Sequence, residues 1–192
     1  LTLVAGDASG AAMDSTADPM VTLGEGMVLF TSANSDGSGA VAAAAADTAA
    51  ISAAKYLQFT AAHTHCLCGT DTAYDGHDVH TPVQWRPWTA VDALPTAAGS
   101  YYLTGDVALP DGTVALPDGV AICLNGRSIH GVGSAASVLQ GSGAQEITDC
   151  GAGKLQNLTL AGGTFTVYGG TMDAIEIDRT AALCMTGRAV NA

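Results

Sequence analysis

Residues 63 to 80 read His-Thr-His-Cys-Leu-Cys-Gly-Thr-Asp-Thr-Ala-Tyr-Asp-Gly-His-Asp-Val-His and hold four of the five histidines and two of the five cysteines. Imidazole nitrogen and thiolate sulfur are the donors Zn²⁺ selects, and pairs of them a few residues apart around a glycine turn are how short segments grip it. In an extended segment residues i and i+2 share a face, so His63 and His65 point one way while Cys66 and Cys68 point the other. Gly69 lets the chain turn, which brings Cys68 back toward the histidine pair. Gly76-His77 can then close a tetrahedron of His63, His65, Cys68 and His77. A second set, Cys66, Cys68, His77 and His80, fits the spacing equally well. Either would be a closed structural zinc, because four protein ligands leave no position for water. The competing readings are a Cys66–Cys68 disulfide in an oxidising compartment and a solvated polar loop without an ion.

Other residues offer weaker chemistry. Trp85 and Trp88 lie three apart beside Pro82 and Pro87, and are expected to plug the end of a core rather than to stack on sugars. Asp149, Asp173, Glu176 and Asp178 are the carboxylates a polysaccharide-cleaving enzyme would need, but only Lys154, Arg179 and Arg188 lie near them. Glu176 and Asp178 read as a solvated face. No Gly-x-Ser-x-Gly elbow is present, and no glycine-rich turn is followed by Lys-Ser/Thr. Cys123, Cys150 and Cys184 stand in or beside apolar runs and are expected to be small buried hydrophobes.

These residues need a frame, and composition limits it. The chain has 192 residues, 48% of them hydrophobic and 12% charged, with 24 glycines and only three phenylalanines. That suits short stacked strands better than a thick aromatic core. Acidic residues outnumber basic ones 18 to 6, a net charge of −12. With no Lys/Arg cluster to displace counterions, nucleic acid and anionic membrane surfaces are excluded as partners. No apolar run reaches the length of a membrane span and no signal peptide opens the chain. It reads as a segment of a longer protein.

Residues 1 to 60 alternate short β-like runs with turns, and the alanine-rich stretch Val41 to Ala54 predicts a short helix. Residues 61 to 100 form a turn-rich connector. From Tyr101 short strands recur between Pro110-Asp-Gly112, Pro117-Asp-Gly119, Asn125-Gly126, Gly162-Gly163 and Gly169-Gly170. Fragments repeat: Ala-Leu-Pro-Asp-Gly at 108–112 and 115–119, and Ile-Cys-Leu-Asn-Gly-Arg at 122–127 against Leu-Cys-Met-Thr-Gly-Arg at 183–188. Strand, glycine corner and internal echo are the signature of a solenoid. Consecutive apolar residues, as in Val-Ala-Ile-Cys-Leu, favour it over an antiparallel sandwich with a hairpin at Asn125-Gly126.

The motifs His63-Thr-His-Cys-Leu-Cys-Gly69, Gly76-His77, Val83-Gln-Trp-Arg-Pro-Trp88, Leu94 to Thr104 and Val120 to Ile129 resemble the large surface proteins of anaerobic Gram-positive bacteria. Those proteins string together right-handed parallel β-helix (pectin-lyase-like) modules. The resemblance covers about a third of the chain. It implies an all-β fold: β-helix segments joined by a small zinc-stapled connector, with residues 1–60 the last rungs of one β-helix, 61–100 the hinge, and 101–192 the first rungs of the next. It implies a non-enzymatic structural or adhesive module at the cell surface or outside the cell. Its partners would be neighbouring modules of the same or an identical chain, and host or bacterial glycans. The alternatives are a fragment of a lyase- or glycosidase-type β-helix enzyme and a glycan-binding module.

Overall fold

The structure, a computed structural model, describes residues 1–5, 11–13, 21–67, 81–133 and 135–186. Of these, 49% are in strands and 4% in helix. The chain divides into two units, Leu1–His63 and Thr64–Ala192. Among the described residues no helix is long and apolar enough to cross a membrane.

The first unit differs from the expected rungs. Its strands β1 (Thr2–Val4), β2 (Met27–Ser32) and β3 (Val41–Ala43) and, after helix α1 (Thr48–Ala53), β4 (Tyr56–Ala61) form one sheet in the order β1-β4-β2-β3. Every pair in it is antiparallel. The reason lies in the loop after β2. Ser32 Oγ and Asn34 Nδ2 both donate to the Ser38 carbonyl, while the Asp36 carboxylate accepts from Ser38 N. Gly37 and Gly39 supply positive φ. This ties a chain reversal, where a rung would need a corner that leads onward. The reversal also recruits Val41–Ala43 as a strand, so the helix begins only at Thr48, where Asp47 accepts from Ala50 N. Leu29, Ile51, Ala54 and Leu57 form this unit's core.

The second unit is a parallel β-solenoid of about four turns. It opens with a two-stranded antiparallel pair, β5 (Thr64–His65) and β6 (Val83–Gln84), followed by β7 (Arg86–Trp88). The next turn holds β8 (Gly99–Leu103), β9 (Val107–Leu109) and β10 (Thr113–Leu116), and the one after it β11 (Val120–Cys123), β12 (Ser128–Gly131) and β13 (Ser137–Gly141). Then come β14 (Ala144–Thr148) with β15 (Lys154–Ala161), β16 (Thr164–Val167) with β17 (Thr171–Ile177), and β18 (Ala182–Met185). One sheet stacks as β18-β16-β14-β11-β8-β7; the other runs β10-β13-β15-β12-β9, with β17 on β15. In β15 two short strands fuse across a bend at Asn157, whose φ is 52°, and Ala174 repeats that bend one turn on with φ 51°.

Alternation fills the interior with columns of like residues. Tyr101, Ile122, Ile147 and Val167 stack in one sheet, and Val107, Ile129, Leu155 and Met172 in the other. They belong to a single apolar core or pack against it, apart from Tyr101, which is buried beneath Trp88 in an edge-on ring contact. Asn125-Gly126 is a corner between β11 and β12, which lie in different sheets, with φ of 52° and 72°, and not a hairpin. Adjacent corners come close enough to require glycine. A Cβ on Gly151 would lie 2.8 Å from Gly126 Cα, and one on Gly153 would lie 2.5 Å from Leu124 Cβ.

Candidate metal centre

The strand Val120–Cys123 is buried along its whole length. Val120 and Ile122 face the interior core, while Ala121 and Cys123 face outward beneath Trp85, with Leu67, Val83 and Tyr102 packed around them. The consecutive apolar residues that signalled a doubly buried strand therefore have a local cause: the segment carrying β5 and β6 covers the outer face. Trp85 is wholly buried, but it covers the outer face of β11 and does not plug the end of the main core. Its indole Nε1 donates to the His65 carbonyl at 3.1 Å, and its ring stacks on the His65 imidazole with centroids 4.8 Å apart. Trp88 is half-buried against the main core.

These contacts fix His65. Its Nδ1 lies 2.6 Å from the Cys66 carbonyl, which can only accept, so the proton belongs on Nδ1. Nε2 then turns its lone pair toward Cys123 Sγ, 3.2 Å away. A hydrogen bond on the far nitrogen that fixes tautomer and ring orientation is what metal-binding histidines use.

The second sulfur comes from the neighbouring turn. Cys123 is in register with Thr148, and Cys150 follows in the corner after β14. Asp149 holds that corner: one carboxylate oxygen accepts from Gly126 N at 2.8 Å, the other from Gly153 N at 2.8 Å. Cys150 Sγ lies 3.7 Å from Cys123 Sγ, and both residues carry reduced thiols. The four ligand atoms of His63, His65, Cys123 and Cys150 all lie within 4.8 Å of one another. A tetrahedral zinc with bonds of about 2.0–2.1 Å to nitrogen and 2.3 Å to sulfur has ligand–ligand edges of about 3.3–3.8 Å. The sulfur–sulfur and nitrogen–sulfur separations already sit at or just below that range. Two thiolates and two neutral imidazoles also cancel a divalent charge, which favours a partly buried site.

Burial pushes the Cys123 thiol well above its ordinary range, and the adjacent Cys150 adds to the shift. Opposing this, the backbone N–H groups of Asn125 and Cys150 hydrogen-bond the Cys123 sulfur and favour its thiolate. A bound cation would supply the remaining stabilisation and release the thiol protons.

Of the residues expected from sequence to bind metal, His63 and His65 belong to this group, while Cys68, His77 and His80 lie outside the described residues. Cys66 is disulfide-bonded, so its sulfur is not a thiolate donor. Cys123 and Cys150 were expected to be inert hydrophobes; Cys123 is buried, but Cys150 and Cys184 are exposed. The signal that could have joined Cys123 to Cys150 is their placement: each ends its strand region just before a glycine corner, Asn125-Gly126 in one turn and Gly151 in the next. No family model, no curated protein and no solved structure matches this chain.

Proposed function

We propose that this chain is a non-enzymatic structural module of a large secreted or wall-attached bacterial surface protein of the pectin-lyase-like β-helix type. In it, a structural zinc held by His63, His65, Cys123 and Cys150 staples the β5–β6 segment to the solenoid. The observation that carries this reading is the convergence of two histidines and two thiols, the sulfurs 3.7 Å apart, on a face built from two neighbouring turns. Four protein ligands make such a site closed, so it would contribute to folding and leave no place for substrate.

The use made of the carboxylates supports a scaffold. Asp149 clamps two corners, Asp178 accepts from Thr180 N and Oγ1, Asp173 accepts from Gln156, and Glu176 accepts from Thr159. Asp106 and Asp118 likewise accept backbone N–H groups of the following turn. Each of these carboxylates accepts a hydrogen bond from the fold itself. Neighbouring modules of the same or an identical chain are the partners this role implies, outside the cell.

Glycan binding is the second reading, favoured by a polar cavity of about 410 Å³ on the other sheet, lined by Asp106, Ser128, His130, Gln156, Asn157 and Asp173. Elemental analysis of purified protein should find about one zinc per chain, and chelation should open a protease cut near 63–80 while leaving a resistant C-terminal fragment. Absence of zinc, or chelation without effect, rejects the staple. Cleavage of any acidic polysaccharide rejects the scaffold role, and a positive glycan array favours the second reading.

A further inference from the structure

The two sulfurs of the centre differ in access. Cys123 is fixed on β11 under Trp85 and His65, whereas Cys150 is exposed in a corner that carries glycines at 151 and 153. Their 3.7 Å separation is beyond a disulfide bond of about 2.05 Å, so the sulfurs are neighbours and not yet joined. Only Cys150, outside any strand, has to swing to close the gap.

We propose that Cys123 and Cys150 form a peroxide-sensitive latch on the metal centre: oxidation joins them as a disulfide and expels the metal. This rests on the zinc reading above. An accessible sulfur with a second one poised to resolve it is the arrangement of a redox-sensing pair. The exposed Cys150 thiolate attacks one oxygen of hydrogen peroxide; an S–O bond forms, the O–O bond breaks, and the departing hydroxide takes a proton to become water. The Cys123 thiolate then attacks the Cys150 sulfur. The S–S bond forms, the S–O bond breaks, and the second hydroxide is protonated. Two thiolates lose two electrons, the peroxide gains them, and solvent provides two protons. A disulfide is no longer a thiolate donor, so the cation keeps only His63 and His65, too few for a closed zinc site. A thiol reductant restores both ligands.

The test uses the full chain loaded with zinc and titrated with hydrogen peroxide. Released zinc is followed with a colorimetric indicator, and disulfides by peptide mapping without reduction. The expected result is about one zinc freed per Cys123–Cys150 disulfide formed, with rebinding after dithiothreitol. Cys184→Ser, which removes an exposed thiol apart from the centre, should leave both readouts unchanged, and Cys150→Ser should abolish the disulfide. Zinc retained while peroxide is consumed, or released with Cys150 over-oxidised and no disulfide, overturns the latch alone. Failure of the untreated protein to take up zinc overturns the metal reading and the latch with it.

Discussion

The two sheets of the solenoid share an interior and differ outside. On the β8–β11–β14 sheet the outward residues Tyr102, Ala121 and Cys123 are roofed by Trp85, and Thr148, one turn on, is fully buried. On the β9–β12–β15–β17 sheet the outward column is Ala108, His130, Gln156 and Asp173, open to solvent along a polar groove. The strand scaffold is the same. What differs is one short segment laid across one face. Under that roof a thiol is desolvated, oriented and placed beside an imidazole. Without it, charged and amide groups remain solvated and contribute little to stability. The chemistry of the outer surface therefore follows from what covers a strand and not from the strand itself.

Removing the roof should give the largest effect. Trp85→Ala deletes a wholly buried indole together with its hydrogen bond to His65, and is expected to cost about 3–5 kcal/mol. It should also weaken zinc binding by about 10–100-fold through the loss of His65 positioning. Asp173→Ala on the open face should change stability by no more than about 0.5 kcal/mol. Chemical denaturation and zinc titration of both variants would check the contrast; equal effects would remove the distinction between the faces.

An intermediate effect is expected at the corners. Gly153→Ala would press a methyl group against Leu124 and the Arg127 carbonyl, 2.5 and 2.7 Å away, and should cost about 1–3 kcal/mol while displacing Cys150. Gly105→Ala, with nothing within 4 Å of its Cβ position, should be neutral or slightly stabilising. Thermal melts of the pair would show whether close stacking of corners, and not glycine flexibility in general, sets the geometry of the centre.

The smallest effect is expected at Tyr168. Tyr168 donates to Glu146 Oε1 at 3.2 Å, and burial, then the Glu146 charge, pushes its pKa up to about 12. A raised folded-state value means that this contribution is complete below the unfolded value of about 10 and is lost as pH rises from there through about 12. Phenolate absorbance should place the Tyr168 midpoint above the ordinary tyrosine value, and Glu146→Gln should lower it. An unchanged midpoint would assign the shift to burial alone.

Much of this architecture was legible in the residues. The glycine corners, the echoed fragments and the apolar run at Val120–Leu124 point to parallel stacked strands. Less legible was the first unit, where runs such as Met27–Ser32 suit either strand direction and the reversal depends on a few hydrogen bonds around Asn34–Ser38. The sulfur donors are not legible in the 63–80 segment because they lie outside it, at Cys123 and Cys150. A solenoid makes neighbours of residues one turn apart, so Cys123 and Cys150 meet across 27 positions, and His65 reaches Cys123 across 58. Such proximity depends on the length of each turn, which no local spacing reveals.

The parallel ladders carry a mechanical consequence. Hydrogen bonds between successive turns run along the solenoid axis, so a load along that axis strains them lengthwise and shares it among many bonds in each turn. A load applied through the chain itself meets a different resistance. It peels one strand from its neighbour bond by bond, and each freed turn adds slack before the next one is engaged. Such a structure yields in steps, like a coil paid out one loop at a time.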